Sequence, residues 1–283
     1  MKAFVEIAKR VVPGKGRRWL REQVEDLPYR LRDLGPDLRD RFPGHGGGGV
    51  PLPPAALRRR VGLNSSREEF VALGRGIAQA LLGAFEEARR PGARYLRWLD
   101  FGCGPGRVAR FLVEARVGEI LGVDVDRSAV RWARLHLEGH FVPTMARPPL
   151  PFPAGSFDVA YAVSVFTHLD EEQQREWLRE LHRVLRPGGL LLATTHHPEL
   201  QGTRRDLRDE QRAQLAAGGF LFAPGDGRFN HGSTFHALPY LERTWGRLFA
   251  LRHYAQHGLS GYQDISAWEA KGLAAPEDAH AFR

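Results

Sequence analysis

From residue 96 to residue 195 the sequence predicts an α/β fold: a parallel sheet covered by helices on both faces. Three observations predict it. Short apolar runs alternate with segments whose apolar residues recur at helical spacing. The first run ends in a glycine turn, Gly102-Cys-Gly-Pro-Gly106, that opens a helix. The chemically capable residues fall at the ends of the runs, where sheets of this kind bind ligands.

The chain has 283 residues, 42% of them hydrophobic, enough for one large domain with an extension. No apolar run approaches a membrane span, and Lys2, Glu6, Lys9 and Arg10 break up the N-terminal apolar residues, so no signal peptide is expected and the cytoplasm is the expected compartment. The single cysteine, Cys103, excludes an internal disulfide and a multi-cysteine metal site. The formal charge of +8 comes almost wholly from arginine. Nucleic-acid binding and attraction to an acidic membrane are two readings of it. The basic residues are interleaved with Asp and Glu, which favours a third, solvated surface charge.

Residues 2–12 form an amphipathic pattern that Pro13-Gly14 ends, and residues 17–34 carry Trp19, Leu20, Val24, Leu27, Leu31 and Leu34 among dense charges. This stretch could dock on the main domain or lie on the inner membrane face. Pro43, Gly46 to Gly49, Pro51, Pro53 and Pro54 mark a linker, so residues 1–50 are an extension and residues 51–283 the domain. Residues 66–89 read as a helix that Ser66 and Glu69 cap and Pro91-Gly92 stops.

The run Trp98-Leu-Asp-Phe101 is the first strand, and Val108, Phe111, Leu112 and Ala115 give the helix after the turn. The turn sets unpaired helix N–H groups beside bare glycine backbone, which suits a nucleotide-like ligand. Ile120–Val123 is the second strand, ending in Asp124-Val-Asp126, and Ser128 to Leu137 a helix. Phe141-Val142 begins a third strand. Phe157–Val163 is a fourth, running into Ser164-Val-Phe-Thr-His168. Asp170 and Gln173 cap the next helix, and Pro187-Gly-Gly189 turns the chain into the fifth strand, Leu190–Thr195. Beyond residue 200 the alternation breaks. Residues 200–232 read as an insertion over the strand ends, with a polar helix at 206–217 and a short strand at Phe220–Phe222. Ser233 to Leu248 reads as a helix broken at Pro239, and Phe249–Tyr254 with Tyr262–Ala270 as a closing hairpin, which requires one antiparallel strand.

A glycine turn after the first strand and an acid after the second fit dinucleotide-binding dehydrogenases as well, but their fingerprint is G-x-G-x-x-G and the spacing here is G-x-G-x-G. Four motifs occur in order: Asp100-Phe-Gly-Cys-Gly-Pro-Gly-Arg107, Gly122-Val-Asp-Val-Asp126, Leu150-Pro-Phe-Pro-Ala-Gly-Ser-Phe-Asp158 and Glu180-Leu-His-Arg-Val-Leu-Arg-Pro-Gly-Gly189. This succession, over roughly residues 95–197, closely resembles the class I S-adenosylmethionine-dependent methyltransferases. The resemblance implies a three-layer, Rossmann-like, seven-stranded mixed sheet whose last strand is antiparallel, with an insertion between strand five and the final helix and hairpin. It implies S-adenosyl-L-methionine as cofactor. Gly102, Cys103, Gly104 and Gly106 would meet its methionine part, Asp100 its amino group, Asp124 both ribose hydroxyls and Val125 the adenine, with Ser164 nearby. Where the family often has an acid for the adenine amine this chain has Ala146, flanked by Met145 and Arg147.

Methyl transfer to nitrogen or to a phenolate needs mainly alignment, whereas an alcohol needs a general base, most often histidine. His168 and His196 are the candidate bases, and His197, His231, His236, Tyr240 and Tyr262 the candidate acceptor contacts. Neighbours on an extended segment point opposite ways, so at most one of His196 and His197 faces the pocket. The Asn/Asp-Pro-Pro-aromatic motif of base methyltransferases does not follow strand four, and no added RNA module is visible, so a nucleic-acid substrate is disfavoured. No metal site is expected. Ser164-Val-Phe-Thr-His-Leu169 with Gly261-Tyr-Gln-Asp264 is similar to bacterial methyltransferases that accompany glycosyltransferases, which implies a small-molecule or glycan-type acceptor. A catalytically silent cofactor-binding or partner-binding protein on the same fold is the alternative.

Overall fold

A computed structural model describes residues 50–62, 66–92, 94–199, 207–224 and 232–272. The expectations for residues 1–34, for most of the linker and for His231 lie outside the described residues. The chain divides into two compact units, one ending at Phe70 and one beginning at Val71.

In the first unit, α1 (Ala55–Val61) follows two prolines. The Pro54 carbonyl accepts the first helical N–H groups, from Leu57 (2.9 Å) and Arg58 (3.0 Å). Helix α2 (Arg67–Ala88), most of which belongs to the second unit, opens as its cap residue requires: Ser66 Oγ accepts the Glu69 N–H at 3.1 Å.

The second unit is built on β1 (Arg97–Phe101), β2 (Glu119–Asp124), β3 (His140–Pro143), β4 (Phe157–Ala162), β5 (Leu185–Thr195), β8 (Phe249–Leu259) and β9 (Gln263–Ala270). Their order in the sheet is β3-β2-β1-β4-β5-β9-β8. β1 to β5 pair in parallel, and β9 runs antiparallel to both β5 and β8. The winding reverses between β1 and β4, which opens a crevice at their carboxyl ends.

The apolar runs are buried on both faces, as a covered parallel sheet demands. Leu99, Phe101, Ala160, Ala162, Leu191 and Trp268 pack in one core with Trp177, Leu178 and Leu181 of α5 (Glu171–Val184). Full burial of side chains such as Leu181 contributes about 1.5–3 kcal/mol each. On the other face Trp98 lies 5.0 Å from the ring of Phe85 on α2 and 6.4 Å from that of Tyr161. The remaining crossovers are α3 (Ala109–Glu114) and α4 (Arg127–His136), the latter capped by Asp126, whose side chain accepts from Ser128 and Ala129. The capping box expected of Asp170 and Gln173 is present in full.

Two expectations are corrected. Pro187-Gly-Gly189 does not precede β5 but lies inside it. Pairing passes from Phe157↔Leu185 to Val159↔Leu190, so Arg186–Gly189 bulge out of the ladder. Ser233–His236 is not helical. Gly232–His236 is strand β7, antiparallel to β6 (Phe220–Pro224), in a ribbon that follows α6 (Asp209–Gly218). Pro239 therefore opens a helix instead of breaking one: α7 (Leu238–Thr244) carries it in the first turn, where a missing N–H costs nothing. Among the described residues no helix is long and apolar enough to cross a membrane.

Candidate active site

The glycine turn is anchored to β2. Gly102 and Cys103 both donate their N–H to Val123 O, at 2.8 and 3.0 Å. Gly102 and Gly106 adopt φ of 87° and 73°, in the left-handed region. A Cβ at Gly102 would sit 2.4 Å from Val165, so the turn and the segment after β4 touch through that glycine. Cys103 is buried, and burial pushes its thiol well above the ordinary range. Its Cβ packs against Gly122, where any side chain would strike Phe141. It is a small residue in a tight turn.

Asp124, at the end of β2, spans the crevice edge. Its Oδ2 accepts the Gly104 N–H at 2.7 Å and its Oδ1 the Asp126 N–H at 2.8 Å. Burial raises its pKa and these two N–H groups pull it back. Each oxygen keeps acceptor capacity for a further donor. Thr144 N–H donates to Asp124 O at 2.9 Å, which brings the loop carrying Met145 and Ala146 beside Val125. Val125 and Met145 are large apolar side chains left exposed, at 59% and 73%. Arg147 turns away, to Glu176 on α5 (2.6 Å).

Asp100 is 3% exposed, opposite Tyr161 in the β1–β4 register. Its carboxyl and the Tyr161 hydroxyl are buried side by side and interact with each other. Burial pushes the Asp100 carboxyl up to about 8; nearby Tyr161 acts against the shift and Asp124 adds to it.

The second half of the site gathers at the ends of β4 and β5 and the start of β9. Ser164 holds φ at 57°, uncommon for a residue with a side chain, and donates its N–H to Thr194 Oγ1 at 2.8 Å. Gln263 Nε2 donates to Ser164 Oγ at 3.0 Å and faces His196 Nε2 at 3.3 Å. The His196 ring lies 5.6 Å from that of Tyr262 and 6.4 Å from that of His168. Burial, with His168 adding to it, pushes His196 down to about 4. His168 is lowered by burial, and its Nδ1 lies 2.9 Å from Gly232 O.

The structure thus sets Gly102–Gly106, Asp100, Asp124 and Ser164 at the carboxyl ends of β1, β2 and β4, with Gln263 linking Ser164 to His196 and the rings of His168 and Tyr262 near that of His196. It separates three other predicted contacts from them. His236 is fully buried, its Nε2 bonded to Gln174 Oε1 at 2.9 Å, and burial drives it down to about 3. It is a core residue, because pairing in β7 turns it inward. Tyr240 is buried against Phe220 and donates its hydroxyl to Glu171 at 2.9 Å. His197 accepts the Glu199 N–H and lies 5.2 Å from the His257 ring. Gln263 and Thr194 were not singled out from sequence. The only signal for Gln263 is its place after Gly261-Tyr262.

Residues 99–193 match the family model described as a methyltransferase domain. The chain is 31% identical over 149 residues, 53% of its length and 55% of the relative's, to a malonyl-[acyl-carrier protein] O-methyltransferase of Salmonella typhimurium. It is 32% identical over 110 residues, 37% of its length and 46% of the relative's, to an N-demethylindolmycin N-methyltransferase of Streptomyces griseus. It spans about half the length of the curated relatives it matches. A solved Pyrococcus horikoshii protein shares the fold, with a TM-score of 0.52 at 19% identity over 68% of this chain and 91% of that one. Over residues 99–193 the chain is thus similar to methyltransferase domains, on a fold it shares with a solved structure.

Proposed function

We propose that the protein is a methyltransferase that uses S-adenosyl-L-methionine to methylate oxygen or nitrogen of a small-molecule or glycan-type acceptor. One observation carries the cofactor assignment: the Asp100 carboxyl is buried beside the neutral Tyr161 phenol and the Asp124 carboxylate, with no cation among the groups that shift it. A buried carboxyl in that state calls for a cationic partner, and the amino group of the cofactor supplies one. Asp124 accepts the adjacent ribose hydroxyls, and Val125 and Met145 flank the adenine. No acid stands at Ala146 to receive the adenine amine, so that contact falls to backbone or water. When bound, the cofactor supplies a methyl group on a sulfonium. The chain's own residues align the acceptor and exclude water. Two relatives, a malonyl-[acyl-carrier protein] O-methyltransferase and an N-demethylindolmycin N-methyltransferase, support an acceptor other than nucleic acid. Residues 1–34 remain our candidate for a peripheral membrane contact, on their sequence pattern alone.

Labelled methyl transfer from S-adenosylmethionine into fractionated cell extract tests this, with products classed as small molecule, glycan, protein or RNA. Label in the small-molecule or glycan fraction is expected. Label confined to RNA, with affinity falling steeply with salt, overturns the acceptor class. Cofactor binding without transfer to any fraction overturns the enzyme in favour of the silent binder.

A further inference from the structure

The ribbon β6–β7 is sewn onto the loop that carries His168 and onto the end of β5. Thr234 donates its N–H to Thr167 O (2.8 Å) and its hydroxyl to Leu169 O (2.7 Å). His236 donates its N–H to His196 O (2.9 Å), and Phe235 bridges to His196. At the head of β7, Gly232 O meets His168 Nδ1 at 2.9 Å. That glycine has no room for a side chain: a Cβ would lie 2.5 Å from Phe222 and 2.6 Å from Ala223 O. The carbonyl is therefore held where it is.

A carbonyl only accepts, so Nδ1 of His168 carries the hydrogen. The neutral ring then has a bare lone pair on Nε2, the arrangement a general base needs. His168 Nε2 has no hydrogen-bond partner among the described residues. His196 differs. The residue is 6% exposed, and its Nε2 lies 3.3 Å from the Gln263 amide nitrogen, so that nitrogen is already occupied by a protein partner. Among the described residues no three His, Cys, Asp or Glu side chains converge as a metal site requires.

Resting on the methyltransferase reading, we propose that His168 is the general base, locked in its active tautomer by Gly232 of the ribbon, and that the acceptor atom is a neutral hydroxyl oxygen. A neutral amine brings its own lone pair and would not need a base so held. An alcohol must give up its proton as it attacks, and a positioned base contributes about 10²–10⁴-fold there. The proton passes to Nε2, the O–H electron pair forms the new oxygen–methyl bond, the carbon–sulfur pair stays on sulfur, and the positive charge ends on the imidazole.

Diethyl pyrocarbonate, which acylates unprotonated imidazole nitrogen, tests this on the full chain, with modified peptides mapped by mass. His168 is expected to be acylated in the free protein. With S-adenosylmethionine at about 100 times its dissociation constant, where about 99% of sites are filled, acylation of His168 should slow about tenfold or more. The ¹⁵N shifts of the His168 ring should show Nδ1 protonated and Nε2 bare. His168→Asn, whose amide can keep the bond to Gly232, should bind S-adenosylhomocysteine within about threefold of wild type, because His168 holds none of the cofactor, and should lose the labelled peptide. An unreactive His168, reaction that the cofactor does not slow, or an Nε2–H tautomer overturns the proposal while leaving the family reading intact. Failure of S-adenosylmethionine to bind by calorimetry overturns the methyltransferase reading itself, and the base assignment with it.

Discussion

In the proposed complex, binding of S-adenosylhomocysteine at pH 7 releases a proton from Asp100. Burial without a cationic partner pushes that carboxyl up to about 8, so the protonated form predominates at pH 7. An ammonium brought beside it favours the carboxylate, and its proton leaves. The ligand's amine is an amino-acid amine whose own carboxylate holds it above the peptide-terminus range, so it is already protonated at pH 7 and takes up little. The net is proton release at pH 7. The release shrinks as the pH rises through the Asp100 range, because the free carboxyl is then already ionised. Calorimetry in buffers of different ionisation enthalpy reads this directly as the slope of observed enthalpy against buffer enthalpy. Asp100→Asn removes the release. A wild-type slope near zero, or net uptake at pH 7, would refute the pairing of Asp100 with the amine.

Three further outcomes follow from the same contacts. Asp124→Ala removes the acceptor of the Gly104 and Asp126 N–H groups. It should weaken S-adenosylhomocysteine binding by about ten- to a hundredfold, or about 1.4–2.8 kcal/mol; unchanged calorimetric affinity would sink the ribose assignment. Gln263→Leu strips a buried amide from Ser164 Oγ and His196 Nε2. It should lower stability by about 1–3 kcal/mol, visible as a lower urea midpoint, and an unmoved midpoint would show that the amide is dispensable. Removing residues 1–45 should leave cofactor affinity intact, since every proposed cofactor contact lies between Asp100 and Ser164; loss of binding by a truncated chain that still shows a cooperative melt would contradict this.

The sheet was legible because its signals are local. Each parallel strand is an apolar run with its own turn beside it, and the crevice residues Asp100, Asp124 and Ser164 sit at run ends that can be counted along the chain. The ribbon was not legible. Phe235, Leu238, Leu241, Trp245 and Leu248 recur at spacings of three and four, which imitates one long helix, while the pairing that makes Gly232–His236 a strand comes from Phe220–Pro224. That pairing also decides His236: a polar residue near the strand ends reads as a site contact until the partner strand turns it into the core. Gln263 was missed for a similar reason. Its partner Ser164 is 99 positions away, and no periodicity marks a buried amide. The tautomer of His168 depends on a carbonyl 64 positions away, so sequence could nominate the ring but not say which nitrogen is free.

A crystal structure with S-adenosylhomocysteine decides whether the carboxyl ends of β1 and β4 are built for S-adenosylmethionine. The ribose hydroxyls are expected on the Asp124 carboxylate, the amino group directed to Asp100 and the adenine between Val125 and Met145. A ligand bound elsewhere, or bound there with Asp124 making only its Gly104 and Asp126 contacts, would contradict that placement.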